Sequence, residues 1–141
     1  MDASRVGSRS QRPAGGTCSD ADVLETSMAQ TLFKGTPVNT VGDLPSVGSS
    51  LPEFELTGTD LSPITNADLA GKRVVLNIFP SLDTGTCAMS VRTFNERASA
   101  LENTTVVCAS ADLPFAQARF CGAEGIENVV TGSSFKTSFA D

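Results

Sequence analysis

The sequence predicts one compact domain of the α/β class that begins at Met28, and three patterns support this prediction. Residues 74–79 are almost continuously apolar, as in a central strand that is covered on both faces. Residues 86–101 carry apolar side chains at alternating steps of four and three, which is the spacing of one helix face. Strand-like and helix-like segments continue to alternate after this helix, as they do in a parallel or mixed sheet with crossover helices.

The composition is that of an ordinary globular chain, because 40% of the 141 residues are apolar and 18% are charged. The net charge of -6 and the pI of about 4.5 argue against nucleic acid or an anionic membrane surface as a partner, since both require clustered Lys and Arg side chains. No apolar run approaches the roughly 20 residues of a membrane span. The absence of His excludes Ser-His-Asp catalysis and metal sites built on imidazole.

Residues 1–27 are rich in Gly, Ser, Ala and Arg and offer few large apolar side chains, namely Val6, Val23 and Leu24. Such a segment buries too little surface to order itself, so we expect a disordered N-terminal extension before the domain at 28–141. The segment lacks the apolar stretch of a secretory signal, whereas its early Arg residues leave a transit peptide as an alternative.

The first part of the domain is predicted to be β-structure. Residues 31–33 and 37–41 form two short strands around a Lys-Gly-Thr turn, which predicts an N-terminal β-hairpin. Residues 54–56 form a further strand before the turn that contains Gly58. The apolar strand 74–79 follows.

The second part alternates helices and strands. The helix over 86–101 has an apolar face made of Cys87, Val91, Phe94, Ala98 and Leu101. Further elements are predicted as a strand at 105–109, a helix at 113–121 capped by Asp112 and ended by Gly122, a strand at 128–130 and a helical turn at 133–139.

The segment between the apolar strand and the first helix places Cys87 at the beginning of that helix. Backbone N–H groups without intrahelical partners and the positive end of the helix dipole favour a thiolate there, and a thiolate is a nucleophile. Thr84 stands three residues earlier, where its hydroxyl can turn toward the thiolate. Pro80 stiffens the strand exit that shields the site from water. The alternative is that Cys87 only packs in the core, since it also starts the apolar helix face.

The other three cysteines differ in their positions. Cys18 lies in the N-terminal extension without an implied partner, and Cys108 lies within an apolar strand, where it is predicted to be a small buried residue. Cys121 lies at a predicted helix C-terminus, where the dipole opposes a thiolate. It suits the role of a second thiol that resolves an oxidised Cys87, with an ordinary half-buried cysteine as the alternative. Since the two cysteines belong to different helices, we expect local unwinding to accompany a disulfide between them.

The motif residues Pro80, Thr84 and Cys87 match the pattern Pro-x-x-x-Thr-x-x-Cys, so the sequence resembles the peroxiredoxin family. From Met28 to Asp141 it is similar to the atypical two-cysteine branch of that family, the bacterial thiol peroxidases. The segments that carry this similarity are Asn77-Ile78-Phe79-Pro80-Ser81, Asp83-Thr84, Ser90-Val91-Arg92, Asp112-Leu113-Pro114-Phe115-Ala116-Gln117 and Arg119-Phe120-Cys121-Gly122-Ala123-Glu124-Gly125.

The resemblance implies a thioredoxin-like fold with Cys87 as the peroxidatic cysteine and Cys121 as the resolving cysteine. It implies that the thiolate attacks the O–O bond of hydrogen peroxide or an organic hydroperoxide and becomes a sulfenic acid, with which the second thiol condenses. Thioredoxin is the implied reductant of the disulfide, and no metal or organic cofactor is needed. A homodimer is the implied assembly. Two cysteines that form a redox couple are compatible with the cytoplasm, which is the expected location.

The resemblance also places parts of the family's fold beyond Asp141. These parts are the active-site Arg, the last two strands and the final helix, and Arg92 is not that Arg although it matches a motif position. We therefore expect strand 74–79 to have an open edge. We also expect this chain to be less stable and less active than a complete relative.

Three other functions compete with a peroxidase. An inactive or binding-only fragment is consistent with the missing Arg and strands. A general disulfide reductase is disfavoured because Thr84-Gly85-Thr86-Cys87 stands where such proteins carry a Cys-x-x-Cys pair. A structural zinc site is disfavoured because the four cysteines have no paired spacing and no His accompanies them.

Overall fold

The computed structural model describes residues 29–140, which fall into two compact units, 29–44 and 45–140. The first unit is the β-hairpin of strands β1 (Gln30–Phe33) and β2 (Thr36–Asn39), which pair antiparallel with Phe33 opposite Thr36. Lys34 and Gly35 in the turn have φ angles of 50° and 83°. Two successive positive φ angles are what a tight two-residue hairpin turn requires. The predicted hairpin is confirmed.

The second unit is built on a five-stranded mixed sheet with the strand order β4-β3-β7-β6-β5. Strands β5, β6 and β7 are parallel to one another, whereas β3 is antiparallel to both β7 and β4. The elements in chain order are β3 (Glu55–Gly58), β4 (Pro63–Thr65), a short 3-10 helix (Ala67–Leu69), β5 (Arg73–Ile78), α1 (Gly85–Ala98), β6 (Thr104–Ser110), α2 (Pro114–Glu124) and β7 (Val130–Ser133).

The parallel part of the sheet brings both helices to one of its faces. Strands β5, β6 and β7 follow one another across the sheet, and each pair is joined by one helix. Side chains from both helices pack with β5 and β6 around one core cluster, which we call the helical core. Its buried members are Phe79, Leu82, Val91, Val106, Cys108 and Ile126, and its half-buried neighbours include Cys87, Phe94, Phe120 and Cys121.

A second core cluster covers the opposite face of the sheet. Its buried members are Leu56, Leu69, Val107 and Ala109. On β6, Val107 and Ala109 alternate with Val106 and Cys108 of the helical core, as the period of two in a strand requires. Gly132 of β7 lies against Leu56 so closely that a Cβ added to it would be 2.9 Å from the leucine side chain. A glycine is therefore needed at position 132, where β7 pairs with β3.

The central position predicted from the apolar run at 74–79 is wrong for the described residues, among which β5 is an edge strand paired only with β6. The edge position agrees with the open edge that the family resemblance implied for this strand. The prediction that both faces are covered holds, because Val75 packs against the helical core whereas Val74 and Leu76 pack against the other cluster. Ile78 is 62% exposed. Strand β5 is apolar because both faces of the sheet are covered at this strand. Such coverage does not require a hydrogen-bonded neighbour strand on each side.

Several predicted boundaries differ from the structure. Helix α1 ends at Ala98, so Leu101 lies beyond it and is exposed. Helix α2 runs past Gly122 to Glu124 and is ended by Gly125, which has the left-handed φ of 65°. The final strand occurs at β7, later than the predicted 128–130, and residues 134–140 form turns and bends where a helical turn was predicted. Strand β4 was not predicted. The predictions for residues 1–27, including Cys18, lie outside the described residues.

Candidate functional site

The carboxyl ends of β5 and β6 lie side by side, and the two helices begin there. Residues 79–84 lead from β5 to α1, and Cys87 is the third residue of that helix. Its side chain is half-buried and packs against the helical core. The N–H groups of Gly85 and Thr86 precede the first intrahelical bond, in which Ala88 N–H donates to Thr84 O at 3.0 Å. The site therefore presents a thiol next to a helix N-terminus, as the sequence predicted.

Thr84 is the N-cap of α1, and its hydroxyl oxygen accepts a hydrogen bond of 3.4 Å from Cys87 N–H. The same hydroxyl donates to Ser81 O at 3.2 Å. Its proton is thus directed to the loop, and the threonine meets Cys87 through the backbone N–H of that residue. Thr84 ties the loop to the first turn of the helix and so determines where Cys87 lies.

Asp112 connects the loop before α1 to the end of β6. Its carboxylate accepts hydrogen bonds from Leu82 N–H at 2.8 Å, from the Ser81 hydroxyl at 2.7 Å and from the Ser110 hydroxyl at 2.8 Å. Partial burial acts to raise the pKa of Asp112, but these hydrogen bonds outweigh it and hold the pKa below its usual value. The predicted role of Asp112 as the N-cap of the second helix is wrong, because Leu113 occupies that position.

Gln117 extends this polar network into α2. Its side chain is 1% exposed, and its Nε2 donates to Ser110 Oγ at 2.9 Å and to Gly132 O at 3.0 Å. The loop before α1, the end of β6, the start of α2 and strand β7 are therefore joined by side-chain hydrogen bonds. A buried network of this kind restricts the conformations of the segments that it joins.

Cys108 is fully buried on β6, as predicted. Burial raises the pKa of its thiol and the nearby Cys121 adds to the increase, against the effect of a hydrogen bond from Asn77 Nδ2 at 3.6 Å. Asn77 also donates to Ser90 Oγ at 3.2 Å, and Ser90 donates to Cys87 O at 2.8 Å. Cys108 is therefore a buried part of the core, beside a chain of hydrogen bonds that supports the first turn of α1.

Cys121 lies within the last four residues of α2. Its sulfur is 3.8 Å from Thr131 Oγ1, and its side chain is half-buried against the helical core. Burial raises the pKa of the Cys121 thiol, and the contact with Thr131 only partly opposes this increase. The protonated form is thus favoured, which suits a second thiol better than a primary nucleophile. Cys87, Cys108 and Cys121 are all free thiols.

Pro80 follows β5 and is itself exposed, with its carbonyl oxygen accepting from Ala111 N–H at 3.3 Å. It borders an open and mainly apolar pocket of about 470 Å³ at the carboxyl ends of the parallel strands. The residues that line this pocket are Ile78, Phe79, Pro80, Ala109, Ser110, Ala111, Ser134, Phe139 and Ala140. Apolar surface is thus available next to the loop that leads to Cys87.

Across residues 29–140, no three side chains of the kinds that bind metals lie close enough together to hold an ion. None of the helices in this part of the chain has the length and the apolar character that crossing a bilayer demands.

Local sequence patterns did not predict that Ser81, Asn77, Ser90 and Gln117 support the segments that hold the cysteines, nor did they predict the role of Asp112. One signal was available, because Ser81 and Asp112 each follow the carboxyl end of a strand. In adjacent parallel strands such positions meet at one edge of the sheet.

Three comparisons with known proteins are informative. Residues 46–140 match the model of the Redoxin family. The chain is 56% identical over 114 residues to a thiol peroxidase of Corynebacterium glutamicum and 59% identical over 114 residues to one of Mycobacterium tuberculosis. Each match covers 81% of this chain, and 69% and 68% of the respective relative.

A solved structure of a peroxiredoxin-like protein from Aquifex aeolicus is also similar to this chain, with a TM-score of 0.68 and 37% sequence identity. The similarity covers 77% of this chain and 64% of that one. The chain therefore spans about two thirds of the length of these proteins.

Proposed function

Because the chain belongs to the Redoxin family, and within it to the bacterial thiol peroxidases, we propose that it reduces hydroperoxides with Cys87 as the attacking thiolate and Cys121 as the resolving thiol. One observation carries the proposal. Cys87 lies in the first turn of α1, where Thr84 caps the helix, and a second free thiol on α2 borders the same core cluster.

In the first step the Cys87 thiolate attacks one oxygen of the hydroperoxide. A sulfur–oxygen bond forms, the O–O bond breaks, and the other oxygen leaves with a proton as water or an alcohol. The sulfur becomes a sulfenic acid. The N–H groups of Gly85 and Thr86 and the N-terminal end of the helix dipole supply positive charge where the oxygens become negative. The apolar pocket beside Pro80 supports organic hydroperoxides as substrates, because it can remove an alkyl group from water.

In the second step the Cys121 sulfur attacks the sulfenic sulfur. A disulfide forms, the sulfur–oxygen bond breaks, and the hydroxyl group leaves as water with the thiol proton of Cys121. A dithiol reductant of the thioredoxin type then reduces the disulfide by exchange, and both thiols return. No metal or organic cofactor takes part in these steps.

The assembly and the location belong to the same proposal. We expect a homodimer, as in the resembling family, and sedimentation equilibrium would measure its mass. The cytoplasm is the proposed location, because a redox couple made of Cys87 and Cys121 is compatible with a reducing compartment.

The test is a stoichiometric titration of the reduced protein with hydrogen peroxide and with cumene hydroperoxide. Loss of peroxide is followed together with mass mapping of the cysteines. We expect one disulfide between Cys87 and Cys121 per peroxide consumed. Addition of thioredoxin, thioredoxin reductase and NADPH should make the consumption catalytic.

Matched cysteine variants separate the steps. Cys87→Ser should abolish peroxide consumption, whereas Cys121→Ser should consume peroxide and stop at the sulfenic acid, which a dimedone label detects. Cys108→Ala and Cys18→Ser serve as controls, and each should still form the disulfide. A binding-only protein would consume no peroxide in any of these forms, and that result would disprove the proposed function.

A further inference from the structure

An ion pair joins the two helices next to Cys121. The guanidinium of Arg92 on α1 donates from Nε to Glu124 Oε2 at 2.9 Å and from Nη2 to Glu124 Oε1 at 2.7 Å. The two side chains are 47% and 34% exposed. The guanidinium also lies 5.6 Å from the centre of the Phe120 ring, so it contacts α2 on both sides of Cys121 in the sequence. Paired hydrogen bonds of this kind determine the orientation of both groups.

Asn95 provides a second connection one helical turn further along α1. Its side-chain oxygen accepts from Glu127 N–H at 3.0 Å and from Asn128 N–H at 2.7 Å. The Asn128 side chain donates in return to Asn95 O at 3.2 Å. Residues 92 and 95 lie on one face of a helix. This face of α1 therefore holds the last residue of α2 and the loop that follows it.

Cys121 lies in the last turn of α2, and these contacts keep that turn folded against α1. The carbonyl oxygen of Cys121 accepts hydrogen bonds from Gly125 N–H and from Ile126 N–H, the latter at 3.0 Å. These two bonds form the C-terminal end of the helix. Glu124 comes three residues after the cysteine, within one turn. Release of the Cys121 side chain from the helical core by unwinding of this turn would therefore separate Glu124 from Arg92.

The positions of the two cysteines indicate that such release is needed. Cys87 is the third residue of α1 and Cys121 the eighth of α2, and both helices start at the carboxyl ends of adjacent parallel strands. A difference of five residues corresponds to about 7.5 Å along a helix, in addition to a spacing of about 8 to 10 Å between packed helix axes. A disulfide allows only about 7 Å between its Cα atoms.

We propose that Arg92 is a positioning residue for the resolving step, and that its ion pair with Glu124 keeps α2 folded and so limits how often Cys121 is released toward Cys87. This inference rests on the proposed function. Loss of the ion pair should favour the open form and accelerate disulfide formation. It should leave the peroxide-dependent step unchanged, because neither residue belongs to the loop or the helix turn that holds Cys87.

The same release determines the fate of the sulfenic acid. While Cys121 stays packed, the sulfenate of Cys87 can attack a second hydroperoxide. Another sulfur–oxygen bond forms, the O–O bond breaks, and the products are a sulfinic acid and an alcohol or water. When Cys121 reaches the sulfur first, the disulfide forms and water leaves. A tighter ion pair therefore favours overoxidation, whereas a weaker one protects against it.

Rapid-mixing kinetics of the reduced protein with hydrogen peroxide test the inference, since the sulfenic acid and the disulfide form in successive phases. In Arg92→Gln and Glu124→Gln, we expect the disulfide phase to be about two- to fivefold faster, the size expected for a partly exposed ion pair. The sulfinic acid produced at high peroxide should decrease. Arg119→Gln is the matched control, because it removes an exposed charge from α2 without breaking the ion pair. This variant should behave as wild type.

Two further measurements distinguish an ion-pair effect from general damage to the fold. The double variant Arg92→Glu with Glu124→Arg should restore the slow disulfide phase. Sodium chloride should accelerate that phase in wild type, because salt screens an exposed pair, and should have no such effect in Glu124→Gln. If the single variants resolve as slowly as wild type or more slowly, the inference is wrong even though the enzyme is active. If the wild-type protein forms no sulfenic acid, the proposed function itself fails.

Discussion

The carboxylate of Asp112 accepts a hydrogen bond of 2.8 Å from the backbone N–H of Leu82, across 30 residues of sequence. Hydroxyl groups of Ser81 and Ser110 donate to the same carboxylate. The loop that leads to Cys87 is thus attached to the end of the neighbouring strand by an ionised group. The contribution of this attachment to the stability of the protein should therefore depend on pH.

Asp112→Asn tests this attachment. The pKa of Asp112 is lowered in the folded state, so the carboxylate stabilises the protein above its ordinary pKa of about 3.9, and this contribution is lost as the pH falls through the folded value. Near neutral pH the variant should lose about 1 to 3 kcal/mol of unfolding free energy. Below about pH 4 the difference should shrink. Urea unfolding at several pH values measures it.

Asp83→Asn is the control for that prediction, since it removes an exposed carboxylate from the same loop. It should change the unfolding free energy by less than about 0.5 kcal/mol. An Asp112→Asn protein with the same acid dependence as wild type would contradict the prediction.

Thr84→Val should slow the oxidation of Cys87 by about tenfold or more, because it removes the cap that orients the first turn of α1. Thr84→Ser retains the hydroxyl and should stay within about threefold of wild type. Stopped-flow measurement of peroxide-dependent sulfenic acid formation provides both rates. Equal rates for the valine variant and wild type would show that the hydroxyl does not position the thiol.

Gly132→Ala should destabilise the protein by about 1 to 3 kcal/mol, because the added methyl group would lie 2.9 Å from the side chain of Leu56 in the packed interior. Gly122→Ala is its counterpart, since nothing lies within 4 Å of a Cβ at that helical position. It should stabilise α2 by about 0.5 to 1 kcal/mol. Thermal or urea unfolding of the two variants should therefore give opposite signs.

The thiols of Cys108, which is buried, and Cys121, which is half-buried, predict a loss of stability in alkaline solution. The pKa values of Cys108 and Cys121 are raised in the folded state, so unfolding allows these thiols to ionise once the pH exceeds their ordinary pKa of about 8.5. The unfolding free energy should fall as the pH rises further. In Cys108→Ala this fall should be shallower than in wild type, whatever the effect of the smaller side chain at neutral pH. Identical slopes would argue against ionisation of Cys108.

Much of the fold was predicted from local patterns. The hairpin, the alternation of strands and helices from β5 to β7, the burial of Cys108 and the place of Cys87 at a helix N-terminus all agree with the structure. These features depend on side-chain periodicity and on turn residues that lie close in sequence. Such signals can be recognised in a single sequence.

The errors share a different cause. Asp112 has the side chain of a good N-cap, but donors from a distant loop compete for its carboxylate. Gly122 was expected to end α2, yet a glycine ends a helix where a left-handed φ is required, and the structure places that conformation at Gly125. Strand β4 has only three residues and is defined by its pairing with β3. Each outcome depends on partners that are distant in sequence.

The chain's own sequence determined that a cysteine follows an apolar strand and opens a helix, because backbone propensity and apolar spacing act over a few residues. Three relationships arise only in the folded chain: Asp112 meets Leu82, Arg92 meets Glu124, and Cys87 and Cys121 border one core. The order of strands in the sheet and the packing of two helices on one face bring these groups together. Contacts between segments about 30 residues apart depend on that geometry, which local sequence does not encode.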